Sequence, residues 1–102
     1  MIRFLVVYPT PADQAAFDQH YRDVHVPLAK KLPGLRQYTV SRNAIPVQGT
    51  EDFHLVAELD WDDMGAMQAA FASPEGQATA ADLAVLAPGG GVRTQIFEIE
   101  TV

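Results

Sequence analysis

An α+β fold, with a four-stranded antiparallel sheet carrying its helices on one face, is predicted by three features of the chain. Four segments rich in β-branched and aromatic residues alternate with two stretches of helical spacing, in the order β-α-β-β-α-β. Turn and cap chemistry stands at each junction. The strands also read as apolar on both parities, which asks for cover on both sides of the sheet. At 102 residues the chain suits one domain spanning residues 1–102, with no internal repeat or linker.

Residues 2–8, "IRFLVVY", form the first strand and stop at Pro9. "TPAD" follows, where Thr10 can cap a helix, Pro11 suits its first position and Asp13 supplies a capping carboxylate. A helix is expected from about residue 12 to His25, with Phe17, Tyr21, Val24 and Leu28 on its apolar face. Pro27 should break it, because the ring cannot donate to the carbonyl of Asp23 and pushes Val26 away from helical angles. A short second piece over residues 27–32 then ends at "LPGL", a turn in which Gly34 supplies a positive φ.

The second strand is read at 35–43 and the third at 53–61, joined by the loop "AIPVQGTED". Asp62 opens a helix with Met64, Met67 and Phe71 in the core, and "SPEG" restarts it, with Ser73 as cap and Pro74 at the first position. Residues 92–100 form the fourth strand after the loop "APGGGV". This is the order of a ferredoxin-like split βαβ unit, in which two helices cover one face only. Leu5 and Val7 on the first strand, Val56 on the third, and Phe97 and Ile99 on the fourth leave the other face apolar. A second copy related by a two-fold axis is the simplest cover, so a homodimer is expected.

Composition narrows the function. Seven basic against thirteen acidic residues give a net charge of −6, and no basic run exceeds Lys30-Lys31, which disfavours nucleic acid as a partner. Without cysteine there is no disulfide, thiolate metal site or cysteine nucleophile. The N-terminal apolar run is too short for a signal peptide or membrane span, so a cytoplasmic protein without membrane partners is expected. Gly89-Gly90-Gly91 lacks phosphate-loop spacing and precedes a strand, so it reads as a loop.

The chemistry is sought in "FDQHYRDVHVPLAKKLPGLRQY", residues 17–38. His20 and His25 lie five apart, roughly 140° around a regular helix, so they should not share a metal, and no metal site is expected. His20 reads as a solvent-edge residue. His25 shares a face with Tyr21 and sits at the proline, where an imidazole could move a proton near neutral pH; tying up carbonyls freed by Pro27 is the other role open to it. Tyr38, on the second strand, could hold a carbonyl or enolate oxygen or simply pack on the sheet. His54 shares a face with Glu58 opposite the Phe53–Leu55–Leu59–Trp61 row. If that row meets the helices, both face the hollow between two subunits. Arg36 could receive a substrate carboxylate or be an exposed strand-edge charge.

With "HVPL" and "LPGL" in the first half and "SPEGQATAADLAVLAPGGGV" in the second, the chain resembles the EthD family of dimeric α/β-barrel proteins over nearly its whole length. The resemblance implies the ferredoxin-like fold and a face-to-face dimer. It also implies a cavity holding histidine and tyrosine side chains and chemistry without metal or organic cofactor. Similar proteins include lactone isomerases, polyketide cyclases and decarboxylases, as well as an accessory protein of ether degradation beside an oxygenase. A cysteine used by lactone-isomerising relatives is lacking here. On this basis His25, Tyr38 and His54 are the catalytic candidates, with Tyr21, Arg36 and Glu58 holding substrate. The expected function is general acid/base proton transfer on a small oxygenated metabolite, as an isomerase or lyase (a cyclase or decarboxylase). The alternative is a non-catalytic ligand-binding protein serving an oxygenase.

Overall fold

The computed structural model describes residues 1–49 and 53–102. Four strands, β1 (Ile2–Tyr8), β2 (Gln37–Arg42), β3 (Leu55–Trp61) and β4 (Arg93–Glu98), form one sheet in the order β2-β3-β1-β4. Every pairing is antiparallel, and β1 at the centre places Val6 opposite both Ala57 and Thr94. This is the predicted ferredoxin-like arrangement. The helices are α1 (Gln14–His20), a π-helical turn (Tyr21–His25), α2 (Val26–Ala29), α3 (Met64–Ala72) and α4 (Pro74–Leu86). Residues 50–52 of the loop "AIPVQGTED" lie outside the described residues. No helix among the described residues is long and apolar enough to cross a membrane.

The core lies between the sheet and the helices. Ile2, Val6 and Tyr8 of β1 and Leu55, Ala57, Leu59 and Trp61 of β3 pack there against Phe17, Tyr21, Ala29, Met67 and Leu86. Trp61 is fully buried and donates its indole N–H to the Pro33 carbonyl at 3.0 Å, over the "LPGL" turn whose Gly34 has φ +72°. The other face of the sheet bears Leu5, Val7 and Val56, all partly exposed, and Phe97, which is 43% exposed. Charge interrupts it: Arg3 forks onto Asp60 through two bonds of 2.9 and 3.0 Å and reaches Glu58 at 2.9 Å.

Several local expectations are corrected. Asp13, not Thr10, caps α1 by accepting the Ala16 N–H at 3.0 Å, so the helix starts at Gln14 and Pro11 stays outside. Asp63 caps α3 in the same way, while Asp62 turns outward to Arg36. Met64 is 40% exposed, because it falls in the first turn of α3, beyond the sheet.

The largest correction concerns Pro27. The helix does not break there: Val26 keeps helical angles, φ −58° and ψ −48°, and its N–H bonds five residues back to the Tyr21 carbonyl. The wider π turn absorbs the proline's missing donor, and α bonding resumes with Lys30 N–H to Val26 O. As a result the buried face runs through Phe17, Tyr21, His25 and Ala29, leaving Val24 outside at 40% exposure.

Ser73 caps α4 as expected, accepting the Gly76 N–H at 3.1 Å, with Pro74 at the first position. Ser73→Ala removes the acceptor and is expected to lower stability by about 1 kcal/mol, read from the urea midpoint at unchanged slope.

Candidate functional site

A cavity of about 240 Å³ lies between the sheet and the helices of the single chain. It exists because small side chains (Ala29 on α2, Ala57 on β3, Thr79 and Ala80 on α4) face rings that cannot close the gap, namely Phe4, Tyr8, Tyr21, Tyr38 and Phe71. Ala80 and Thr94, both exposed, mark where it opens.

His25 is buried at 6% exposure on the wall of this cavity. Its Nδ1 lies 2.9 Å from Asp82 Oδ2, and His20 Nε2 lies 2.8 Å from Asp82 Oδ1. Burial draws the Asp82 pKa upward, but the bonds from His20 and His25 outweigh it, and the carboxyl ends below its ordinary range. Asp82 is therefore ionised at neutral pH and can only accept, so both facing ring nitrogens donate. That fixes the His25 tautomer with hydrogen on Nδ1 and a lone pair on Nε2, which bonds to no described residue. Burial pushes the His25 pKa down more than Asp82 restores it, so the imidazole is neutral at pH 7.

The π turn makes this arrangement possible. In a regular helix His20 and His25 would point apart; a turn closed by an i→i+5 bond brings residues five apart to the same side, where one carboxylate spans both. His20 stays at the solvent edge as expected, its side chain 30% exposed, but its ring is tied to Asp82.

Across the cavity wall, the hydroxyls of Tyr21 and Tyr38 meet at 2.6 Å. One donates to the other, and the second keeps a proton for a third partner. Burial raises the pKa of both phenols, so they remain neutral donors. The Tyr21 ring also lies 5.1 Å from the His25 ring, centroid to centroid. Tyr8 lines the same cavity at 1% exposure.

Three of the six residues singled out from sequence, His25, Tyr38 and Tyr21, thus converge on one cavity. That cavity lies inside one subunit, not in a hollow between two. The remaining three do not join them. His54 lies just before β3 and turns to α1, with its ring 5.2 Å edge-on from Phe17 and its Nε2 donating to Asp18 at 2.7 Å. Glu58 is on the open sheet face with Arg3, because its parity is opposite to Leu59. Arg36 is at the surface, forked onto Asp62 at 2.9 and 2.7 Å. Asp82 was missed. Its signal was a carboxylate on the α4 face shared with Gly76, Thr79 and Leu86, where an acid requires a partner.

The sequence model of the EthD domain matches residues 9–88. An uncharacterised 11.0 kDa protein of the thcB–thcC intergenic region of Rhodococcus erythropolis is 39% identical, over 100% of this chain and 98% of that protein. The crystal structure of an EthD family protein from Bacillus halodurans C-125 superposes with a TM-score of 0.89 at 34% identity, covering 98% of this chain and 99% of that one. Two more distant structures share the fold. A dimeric ferredoxin-like protein from Jannaschia sp. CCS1 has a TM-score of 0.73 at 21% identity, covering 96% and 98% of the two chains. SnoaB, a cofactor-independent oxygenase from Streptomyces nogalater, has a TM-score of 0.67 at 17% identity, covering 99% and 94%.

Proposed function

The chain belongs to the EthD domain family, and from that premise we propose that it is a cofactor-independent catalyst of proton transfer beside a carbonyl or enol oxygen. The observation that carries this reading is the oriented imidazole: Asp82 holds Nδ1–H and leaves the lone pair of Nε2 free as a base at neutral pH, with no carboxylate among the described lining residues. A carbon acid bound against it would give its proton to Nε2, and the electron pair left behind would move onto the carbonyl oxygen. The free proton of the Tyr21–Tyr38 pair is then a donor for that oxyanion, worth several kcal/mol in a dry site. Asp82 stabilises the imidazolium formed, as the orienting carboxylate does in a Ser-His-Asp triad. Returning the proton to a different carbon of the enolate completes an isomerisation. In a cyclisation the enolate carbon instead attacks a second carbonyl of the same molecule, and the imidazolium gives its proton to the alkoxide oxygen so formed. His54, Arg36 and Glu58 have no part in this reading.

The test is exchange of α-protons of small ring ketones in D2O, followed by proton NMR. Accelerated exchange that requires His25 is expected. Tight ligand binding with no exchange in any ketone would instead support a non-catalytic ligand carrier.

We also infer that the chain works as a homodimer paired through the open sheet face. Leu5, Val7 and Val56 line a depression there with Phe53, Arg93 and Gln95, and the dimeric relative from Jannaschia shares the fold. Val56 stands opposite Val7 and Ser41 in the sheet register. Val56→Asp would bury an unpaired charge in that seam and is expected to convert the dimer to a monomer in sedimentation velocity, with little change in circular dichroism. A monomeric parent chain would refute the pairing.

A further inference from the structure

Building on the reading above, we propose that the guest of the cavity is an uncharged ring compound bearing a carbonyl-type oxygen, and that the Tyr8 hydroxyl is the donor that selects this oxygen. The first ground is charge. Among the described residues, no lysine, arginine, aspartate or glutamate lines the cavity. Behind the wall at His25 stands the ionised Asp82, which is negative. Arg42 acts on Tyr21 electrostatically but is exposed on β2 and does not line the space, while Arg36 is taken by Asp62. A carboxylate entering here would lose its hydration, gain no counter-ion and face a like charge through His25.

The second ground is an account of the polar groups. Thr79 donates to the Glu75 carbonyl at 2.8 Å, and the Tyr21 and Tyr38 hydroxyls serve one another. Tyr8 is different. Its hydroxyl bonds to no described residue although the side chain is almost wholly buried and lines the cavity. The ring is fixed by edge contacts with Phe17 at 5.4 Å and Tyr21 at 5.6 Å, so it cannot swing away from the cavity. Since no enclosed side-chain polar atom among the described residues is left without a partner, this hydroxyl opens onto the cavity space, where water serves it until a guest replaces that water. It is a neutral donor, since burial raises its pKa, and therefore asks the guest for an acceptor. His25 Nε2 asks for an acidic proton. A planar molecule with a carbonyl and an acidic O–H or α-C–H answers both, and the walls of Phe4, Tyr21 and Phe71 accept its ring.

The experiment compares 4-hydroxyacetophenone with 4-hydroxybenzoate by titration calorimetry on the full chain near neutral pH. The two probes share ring, hydroxyl and heavy-atom count and differ in charge. The ketone is expected to bind more tightly by about tenfold or more. Tyr8→Phe should weaken the ketone by about three- to tenfold while leaving 4-ethylphenol, which lacks the carbonyl, bound as before. Equal or tighter binding of the carboxylate, indifference of the ketone to Tyr8→Phe, loss of 4-ethylphenol in that variant, or no ketone binding at millimolar concentration would each overturn the proposal. Failure of the catalytic reading is a separate result: α-proton exchange that persists in His25→Gln removes the base but leaves the selectivity for the neutral ketone intact.

Discussion

Replacing His25 by glutamine is expected to lower the rate of α-proton transfer by about 10²- to 10⁴-fold while the protein keeps its fold. Glutamine retains an N–H for Asp82 but has no lone pair basic enough to take a carbon-bound proton. The wild-type rate should follow the free base. The His25 pKa lies below its ordinary value of 6.5, chiefly because of burial, so activity should hold from neutral pH down past that value and fall only as the medium passes the depressed pKa. His25→Gln should lose this acid limb. Stability shares the same group. The unfolded chain binds the proton at 6.5 and the folded chain only below it, so between the two values the unfolded state carries more protons and acid favours unfolding. The contribution is fully present above 6.5 and lost as the pH falls through the folded pKa. A proton-transfer rate independent of His25, or one without an acid limb, would end the catalytic assignment.

The second large effect is structural. Gly76→Ala is expected to destabilise the chain by about 3 kcal/mol or more, above the ordinary overpacking range, because nothing near it can yield. A Cβ at this position would stand 2.6 Å from the Phe71 carbonyl oxygen and 2.5 Å from its Cα, with the Ala70 carbonyl oxygen closer still. All three are backbone atoms of α3 at the point where α4 folds against it. For a domain of this size the loss corresponds to a melting temperature lower by about 12 °C or more. Since α4 also carries Asp82, the surviving folded fraction should hold His25 less firmly. An unchanged melting curve would mean that the two helices can separate without penalty.

The glycine, like much of the frame, carried a signal in the sequence whose meaning became clear only in three dimensions. The strands were legible because β-branched residues alternate through Ile2–Tyr8 and Leu55–Trp61, and alternation is a local property. Ser73 and Pro74 announced α4 for the same reason. The cap of α1 was misjudged by a few residues, since Thr10, Pro11 and Asp13 all offer starting chemistry and only the packing of Phe17 chooses among them. Tyr21, His25 and Tyr38 were found from residue type and position, yet the space they enclose was not located. Alternation tells which face is apolar but not whether the layers on it meet tightly, and that depends on Ala29, Ala57 and Ala80 standing together from three elements. Asp82 stayed hidden because its partnership with His20 and His25 spans about sixty residues of chain and relies on a non-standard turn.

That turn has a consequence for how the segment tolerates change in length. A π turn amounts to one surplus residue in an otherwise ordinary helix. Excising any single position between Tyr21 and His25 would relax the coil to its common pitch, but Pro27 would then stand inside an ordinary α-helix and leave the carbonyl four residues before it without a donor. Everything downstream would also rotate by roughly a quarter-turn, with Ala29 carried off the floor of the chamber and the second imidazole pulled from its carboxylate. The locally unfavoured coil is thus what sets the phase between the two ends of this helix, and the surplus residue is the one the helix could least easily give up.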